Sequence, residues 1–247
     1  MKARSSLMLV ALTVLFVPVA GAQDPGMEGK WGFAVQGGIV TEVSGNVFND
    51  TRGTLFARDV HVFSRSFRQT YETGFKNFHG AVVLNIGVAP SGEVFARGTH
   101  YKIKSPGFLA GSVEGSDLFA TLEPYEEWGV EVGYRYYLAW RTRLKSFFAP
   151  VTGFRLIDRI LVDSMFAPDR NSAIFNLPLY KSSTVFLIGA DIGFQFDLGD
   201  TFYVGLEAQL RYQSKMVAAE TVPGLEGFNE AGSRWSAPVV LTAGFRF

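Results

Sequence analysis

The residue types that could do hydrolytic chemistry lie closest together in the stretch DVHVFS, which holds Asp59, His61 and Ser64. A serine nucleophile needs a histidine base, and the histidine needs a carboxylate to orient it, so the residue types are suitable. The stretch lies in a long connection between strands, however, and carries no recognisable motif. We therefore predict no catalytic residue and keep hydrolysis as a less favoured alternative.

Metal and cofactor chemistry has still less support in the sequence. There is no cysteine, and the three histidines, His61, His79 and His100, are separated by 18 and 21 residues, which is not the spacing of paired metal ligands. The glycines recur at two- and four-residue spacing along strands and do not form a phosphate-binding loop. We predict no metal site and no cofactor.

A second set of charged residues is ordered by strand periodicity. In EWGVEVGYRYYLAW the even positions from 128 to 140 are apolar, whereas the odd positions include Glu131 and Arg135. Alternation with a period of two predicts a β-strand with one apolar face. Four further segments show the same alternation: 31–39, 186–196, 202–212 and 235–247.

Three other segments are also predicted to be strands: 78–88, 93–103 and 146–156. The first has a clear apolar row that includes Phe78 and Val82, but the pattern does not identify the apolar face of the other two. Pro150 has no amide hydrogen to donate to a neighbouring strand. It therefore predicts a bulge or an interrupted pairing.

Long and short connections alternate along these eight strands. The short ones are APSG, RTRL and DLGD, and the long ones are 42–76, 105–125, 158–182 and 214–234. This order places both chain ends and all short turns on one side of the sheet, and four long loops on the other. The stretch TLFARDVHVFSRSF in the first long loop could add a hairpin and give ten strands. We favour a short helix or an extended hairpin outside the sheet, because ten strands would spoil the alternation.

The first 22 residues have the features of a secretory signal peptide. Lys2 and Arg4 precede an apolar run, and small residues at 20–22 suit a signal peptidase, so we expect the mature domain to span residues 23–247. Removing residues 1–22 leaves 21 basic and 23 acidic residues, a net charge of −2. That balance argues against a nucleic-acid partner.

The positions of arginine and of the aromatic residues indicate which face meets lipid. An arginine in mid-membrane costs about 2–4 kcal/mol, and Arg135, Arg211 and Arg246 all fall in the polar row. The twelve residue steps from Trp128 to Trp140 cover about 40 Å of strand, which spans about 30 Å when tilted, close to the thickness of a bilayer's hydrocarbon core. A soluble lipocalin-like barrel and a secreted β-sandwich remain alternatives. Six aromatic residues at strand ends are predicted to form the interfacial girdle: Trp31, Trp128, Trp140, Phe202, Tyr212 and Trp235.

The lipid around the strands then determines the architecture. Lipid offers no partner to an open sheet edge, so the strands must close into an all-β, antiparallel, up-and-down transmembrane β-barrel of eight strands, with ten as the alternative. Eight strands leave an interior just wide enough for side chains. We predict that the charged residues of the polar row neutralise one another there; a polar path or gate is the alternative. They are Glu131, Arg135, Asp191, Glu207, Arg211 and Arg246.

The turn DLGD sets the register of the two strands that it joins. Closing Phe196 against Asp200 would place Asp191 opposite Gly205. Closing one pair later would place Asp191 opposite Glu207, a repulsive pair. We predict the first register.

From about Trp31 to Phe247 the chain resembles the small outer-membrane barrels of the outer-membrane protein A-like and opacity-like family. The resemblance rests on VEVGYRYYL, GADIGFQFDLGDTFYVGLEAQLRY and the terminal LTAGFRF. It implies short periplasmic turns, long extracellular loops, and location in a bacterial outer membrane among lipid and lipopolysaccharide. It also implies an assembly signal read by the barrel-assembly machinery, formed by Leu241, Ala243, Phe245 and Phe247.

The resemblance and the narrow lumen favour a non-enzymatic barrel, expected to be a monomer, with a structural or surface-interaction role. A narrow passive pore for small solutes is the first alternative. An outer-membrane lipid A or protein hydrolase is the second. The sequence identifies no extracellular ligand.

Overall fold

A computed structural model describes residues 26–55, 57–70, 74–138, 141–170, 172–220, 222–230 and 232–247. The predicted signal peptide and Trp140 lie outside these residues. Within them, no helix is long and apolar enough to cross a membrane. In chain order the elements are β1 (Trp31–Ser44), β2 (Asn46–Phe48), β3 (Thr51–Leu55), β4 (Arg58–Val62), β5 (Arg65–Ser66), α1 (Phe67–Thr70), β6 (Gly74–Ala89), β7 (Gly92–Ile103), β8 (Phe108–Val113), β9 (Ser116–Leu122), β10 (Tyr125–Tyr137), β11 (Leu144–Ile157), β12 (Ile160–Ala167), a 3₁₀ turn (Pro168–Arg170), β13 (Ser172–Tyr180), β14 (Ser183–Asp197), β15 (Phe202–Gln213) and β16 (Arg234–Arg246).

Eight of these strands form a closed antiparallel barrel. The first strand, β1, pairs with β6 on one side and with the last strand, β16, on the other. The seam ends with a reciprocal pair of hydrogen bonds, because Trp31 N donates to Phe247 O and Phe247 N donates to Trp31 O, both at 2.8 Å. The predicted count of eight is confirmed. The order around the barrel is β1-β16-β15-β14-β11-β10-β7-β6.

Alternation of side chains separates the two faces of the wall. On β10, the Val130 side chain points outward and is 64% exposed, whereas its neighbour Glu131 points inward and is fully buried. This confirms the predicted apolar outer face. The sequence did not identify the apolar face of β7 and β11. In the structure, Arg97 on β7 and Arg155 on β11 both point inward.

Pro150 interrupts one pairing, as predicted. The β10–β11 pairs pass from Gly133↔Val151 to Tyr136↔Phe148 without a pair at Pro150, although the register is the same on both sides of the gap. On its other side, β11 pairs continuously with β14 through Pro150↔Ala190. The missing amide hydrogen therefore affects only the side that faces β10.

The predicted register of β14 and β15 is wrong. Asp191 lies opposite Gln209, and Asp197 opposite Tyr203, so the turn is wider than DLGD alone. Leu198 N donates to Phe202 O at 2.8 Å, and Gly199 adopts a φ of 128°. Glu207 pairs with Gly193, so the two carboxylates lie on neighbouring strands but not in a direct pair.

The long loops fold into a structured cap, which the sequence analysis did not predict. We define the cap as the six-stranded sheet β13-β12-β9-β8-β4-β3, the β2–β5 pair, α1, and residues 214–220 and 222–230. Of the two forms predicted for TLFARDVHVFSRSF, the structure shows the hairpin outside the barrel, as β3–β4, whereas α1 begins only at the last residue of that stretch, Phe67. A hydrophobic core under the sheet includes Phe48, Val62, Met165 and Phe228, and it continues onto barrel residues such as Tyr101.

Candidate functional site: the lumen and the cap

The barrel lumen holds a network of alternating charges. Among the described residues, seven acidic and seven basic side chains are buried, and they point into the lumen or its mouths. We call these fourteen residues the charge network: Glu42, Glu93, Glu127, Glu131, Asp191, Asp197, Glu207, Arg97, Arg135, Lys145, Arg155, Arg211, Arg234 and Arg246.

At the end nearest the short turns, the network begins with a lysine. Lys145 forms an ion pair with Asp197, and Arg246 lies 3.7 Å from the same carboxylate. Arg246 also lies 3.5 Å from Glu93, which pairs with Arg135. Each link joins an acid to a base.

The middle of the network crosses the barrel. Arg97 on β7 reaches Glu207 at 2.7 Å and Asp191 at 3.1 Å, so one guanidinium bridges two carboxylates of adjacent strands. Arg211 pairs with Asp191 and, at 2.9 Å, with Glu131. The cation from the opposite wall removes the repulsion that made Asp191 and Glu207 an unfavourable pair in the sequence analysis.

Near the cap the alternation continues without a break. Arg155 lies 3.3 Å from both Glu131 and Glu127, and Arg234 pairs with Glu127. Arg234 then lies 3.6 Å from Glu42, the last member. Since Arg135 also lies 3.2 Å from Glu207, the ion pairs form one continuous chain from Lys145 to Glu42.

Aromatic rings and polar uncharged side chains supply further contacts to the charged groups of the network. The Arg155 guanidinium lies 4.1 Å from the centre of the Tyr101 ring, and that of Arg135 lies 4.5 Å from the Phe147 ring. The Tyr137 hydroxyl donates to Glu93 at 2.9 Å. Buried ions remain charged only when they are paired and hydrogen-bonded in this way, so the network is interdependent.

Both mouths of the lumen are covered. On the short-turn side, Met27 is buried against Tyr137 and Phe147, and its backbone N donates to Pro90 O at 3.1 Å. On the cap side, Phe67 of α1 is buried and lies 4.9 Å from the Arg234 guanidinium.

A small cavity within the lumen, lined by residues that include Arg135 and Glu207, measures about 10 Å³. That is at or below the space that one water molecule needs. Around Arg135 and Glu207, the described side chains therefore fill the lumen.

The structure places all six predicted lumen residues in the charge network, but the network has eight further members. Glu93, Arg97, Lys145 and Arg155 lie on the two strands whose faces were unassigned. Glu42, Asp197 and Arg234 lie at strand ends, and Glu127 stands in the same polar row as Glu131. A sequence signal was present for Glu127, which stands at an odd position of the row that holds Glu131. Charge balance did not point to the other seven, because the six predicted residues are already three acids and three bases.

Apart from Trp140, which lies outside the described residues, the aromatic residues predicted for the girdle lie near strand ends on the outer wall or half-buried there. Trp31 and Trp128 are exposed, and the Tyr212 and Trp235 rings lie 5.3 Å apart. The Phe202 ring lies 5.2 Å from that of Phe245. At the chain end, the side chains of Leu241, Phe245 and Phe247 are exposed and that of Ala243 is partly exposed.

The histidines lie in three different environments. His61 Nε2 lies 2.9 Å from Asp50 Oδ1, a partner that the sequence did not suggest, and its ring packs edge-on against Phe63. His79 is buried against the Tyr101 ring, and His100 stacks on Trp128. Among the described residues, no group of three or more histidine, aspartate or glutamate side chains is arranged to hold a metal ion.

With this geometry described, the chain can be compared with known proteins. No protein-family model and no curated protein matches it. The Neisserial surface protein A structure is similar at a TM-score of 0.50 and 10% identity, over 89% of this chain and 100% of that one. The Yersinia pestis attachment invasion locus protein Ail matches at 0.42 and 12%, covering 90% and 100%. The Pseudomonas aeruginosa outer membrane protein OprG matches at 0.45 and 11%, covering 90% and 97%.

The likeness to the Neisserial surface protein A structure concerns the fold alone. The chain has the fold of a small eight-stranded outer-membrane β-barrel, which confirms the resemblance predicted from the sequence.

Proposed function

We propose that this protein is a non-enzymatic, integral barrel of a bacterial outer membrane, closed to solutes, whose cap makes contacts at the cell surface. The observation that carries the proposal is the unbroken charge network, which fills the lumen from one mouth to the other. A path for ions would require several buried pairs to separate at once. Opening one buried pair alone costs about 3–5 kcal/mol.

The same proposal assigns the surroundings of the barrel. The exposed apolar wall meets membrane lipid, with lipopolysaccharide around the cap, and the exposed residues at the chain end act as the assembly signal. Residues 1–22 would direct export and then be removed, and the barrel would act as a monomer. The narrow pore remains the competing function, and the hydrolase remains the less favoured alternative. His61 pairs with Asp50 and not with Asp59, so the structure does not bring Asp59 and His61 of DVHVFS together as a pair.

Conductance tests closure directly. The purified full chain, reconstituted in planar lipid bilayers, is expected to show no steady open-channel steps in symmetric potassium chloride. A known open porin in the same bilayers serves as the positive control for insertion and recording. Steady unitary steps from the full chain would contradict closure and favour the pore.

A further inference from the structure

The two edge strands of the cap sheet, β3 and β13, differ in how far other residues cover them. At the β3 edge, the last long loop lies directly against the strand. Gly224 of this loop is so close to Thr54 that a β-carbon added to the glycine would lie 2.0 Å from Thr54 O. Arg52 adds a charge to this edge. Natural sheets protect their edges in these two ways, by covering them and by charging them.

The β13 edge has such cover only at its end. Lys181 N donates to Val217 O at 2.9 Å, and Ala219 N donates to Leu179 O at 3.1 Å, so the last loop pairs with the end of the strand. From Ser172 to Leu177, β13 pairs with β12 on one side except at Asn176, whose φ is 54°, and no other described strand pairs with it on the other. Alternate backbone N–H and C=O groups of an antiparallel strand point away from its partner. The sequence SAIFNLPLY contains no charged residue to block pairing.

An exposed aromatic strip runs up to this bare edge. Phe119 pairs with Phe166 across β9 and β12, and their rings lie 5.8 Å apart. Leu109 lies opposite Phe119, and Phe175 lies opposite Ser164 next to Phe166. Phe166 and Phe175 are the two exposed rings of the strip, and Phe175 is the more exposed of them, at 66%. The other face of the same strands forms the cap core, so burial within the chain does not account for the strip.

Charges around the strip indicate what kind of molecule could cover it. Asp117, Asp163 and Asp169 are exposed on β9, β12 and the 3₁₀ turn that borders β13. Carboxylates in these positions disfavour contact with acyl chains. They favour a partner with basic groups flanking its apolar residues.

We propose that the β13 edge binds an extended segment of a partner polypeptide, which adds as a seventh strand to the cap sheet. The unpaired backbone groups would supply main-chain hydrogen bonds, and Phe175 would pack against apolar side chains at alternate positions of the segment. Lysine or arginine near its ends would face the three aspartates. This inference rests on the proposed surface role and specifies the chemistry of the partner.

The test uses the full chain in lipid nanodiscs and a labelled nine-residue peptide. The peptide carries phenylalanine or valine at alternate positions, threonine between them and lysine at both ends. We expect saturable binding by fluorescence anisotropy and slower amide hydrogen exchange within residues 172–178. Phe175→Lys should weaken binding by about tenfold or more, because it places a cation on the edge and removes the central ring. Thr54→Lys, which adds the same charge at the other edge, should leave binding unchanged.

Peptides with altered backbones separate strand addition from simple hydrophobic contact. A peptide N-methylated at alternate residues keeps its side chains but loses main-chain donors, so it should not bind. Equal binding of this peptide, or no effect of Phe175→Lys, would overturn the proposal, as would the absence of binding by the unmodified peptide. Dimers of the free chain that Phe175→Lys dissolves would show that a second copy occupies the edge, and would also overturn it. None of these outcomes changes the conductance result, so the closed barrel is judged separately.

Discussion

The lumen and the cap bury side chains of opposite chemical character. In the lumen, fourteen charged side chains are packed together and satisfied by one another. In the cap, the buried residues are almost all apolar, as in a soluble domain, and Tyr180 shows how a polar group is accommodated. Its hydroxyl donates to Val47 O at 2.8 Å, and burial raises the pKa of this phenol.

The difference follows from which face each sheet can bury. The barrel presents most of its apolar side chains to lipid, so its interior is left largely to polar residues, beside a small apolar cluster that includes Phe95 and Leu187. The cap sheet has a core under one face and can place apolar residues there. A loss of charge should therefore affect the lumen most, and a loss of volume should affect the cap most.

The largest effect is expected from Glu131→Gln at the centre of the network. Glu131 accepts hydrogen bonds from Arg97, Arg155 and Arg211, and the substitution leaves an excess buried positive charge. Breaking a buried ion pair in this way costs about 3–5 kcal/mol. The measurement is the unfolding free energy in urea, followed by the change in gel mobility between folded and unfolded barrel.

A double variant tests whether the cost is one of charge balance. Adding Arg155→Gln to Glu131→Gln restores neutrality, so the two changes together should cost less than the sum of the single ones. A loss below about 1 kcal/mol for Glu131→Gln alone would show that the network contributes little.

A smaller global effect is expected from Phe228→Ala in the cap. Phe228 is buried, and its ring stacks on Phe48 at 6.0 Å. The cavity costs about 3–5 kcal/mol locally. Because the cap can open while the barrel stays paired, most of this cost should be expressed as faster proteolysis between residues 214 and 230. Mass spectrometry of the fragments locates the cleavage.

Exposed Phe175→Ala is the matched control and should leave the proteolysis rate unchanged. If Phe228→Ala lowered the unfolding midpoint of the barrel as much as Glu131→Gln does, the cap and the lumen would form one cooperative unit. The contrast between the two regions would then fail.

The barrel could be predicted from the sequence because lipid enforces a strict period of two. Strand β10 shows this most clearly, with Val130 outside and Glu131 inside. On β7 the rule weakens, since the inward row contains Phe95 and Tyr101 and the outward row contains His100 and Lys102. Hydropathy alone could not assign that face, so Glu93 and Arg97 of the charge network were missed.

The cap sheet was not predictable for a different reason. Outside the membrane the strands are short and carry register shifts, between Leu109 and Gly111 on β8 and between Val162 and Ser164 on β12. Each shift breaks the alternation on which the sequence analysis relied. The β14–β15 register failed because the turn includes residues beyond DLGD, which local turn preferences do not determine.

The smallest effect is expected from Glu126→Gln, five residues before Glu131 on the same strand. Glu126 also contacts two side chains, with His100 Nε2 at 3.1 Å and Lys102 Nζ at 3.4 Å, but it lies on the outer wall near the barrel rim. Water screens ion pairs that are exposed in this way, and their median contribution is close to zero. The urea midpoint should therefore stay within error of the unmodified protein. Since the substitution chemistry and the strand are the same as for Glu131→Gln, only burial differs between the two variants. A comparable loss at Glu126 would mean that the lumen charges matter for a reason other than their enclosure.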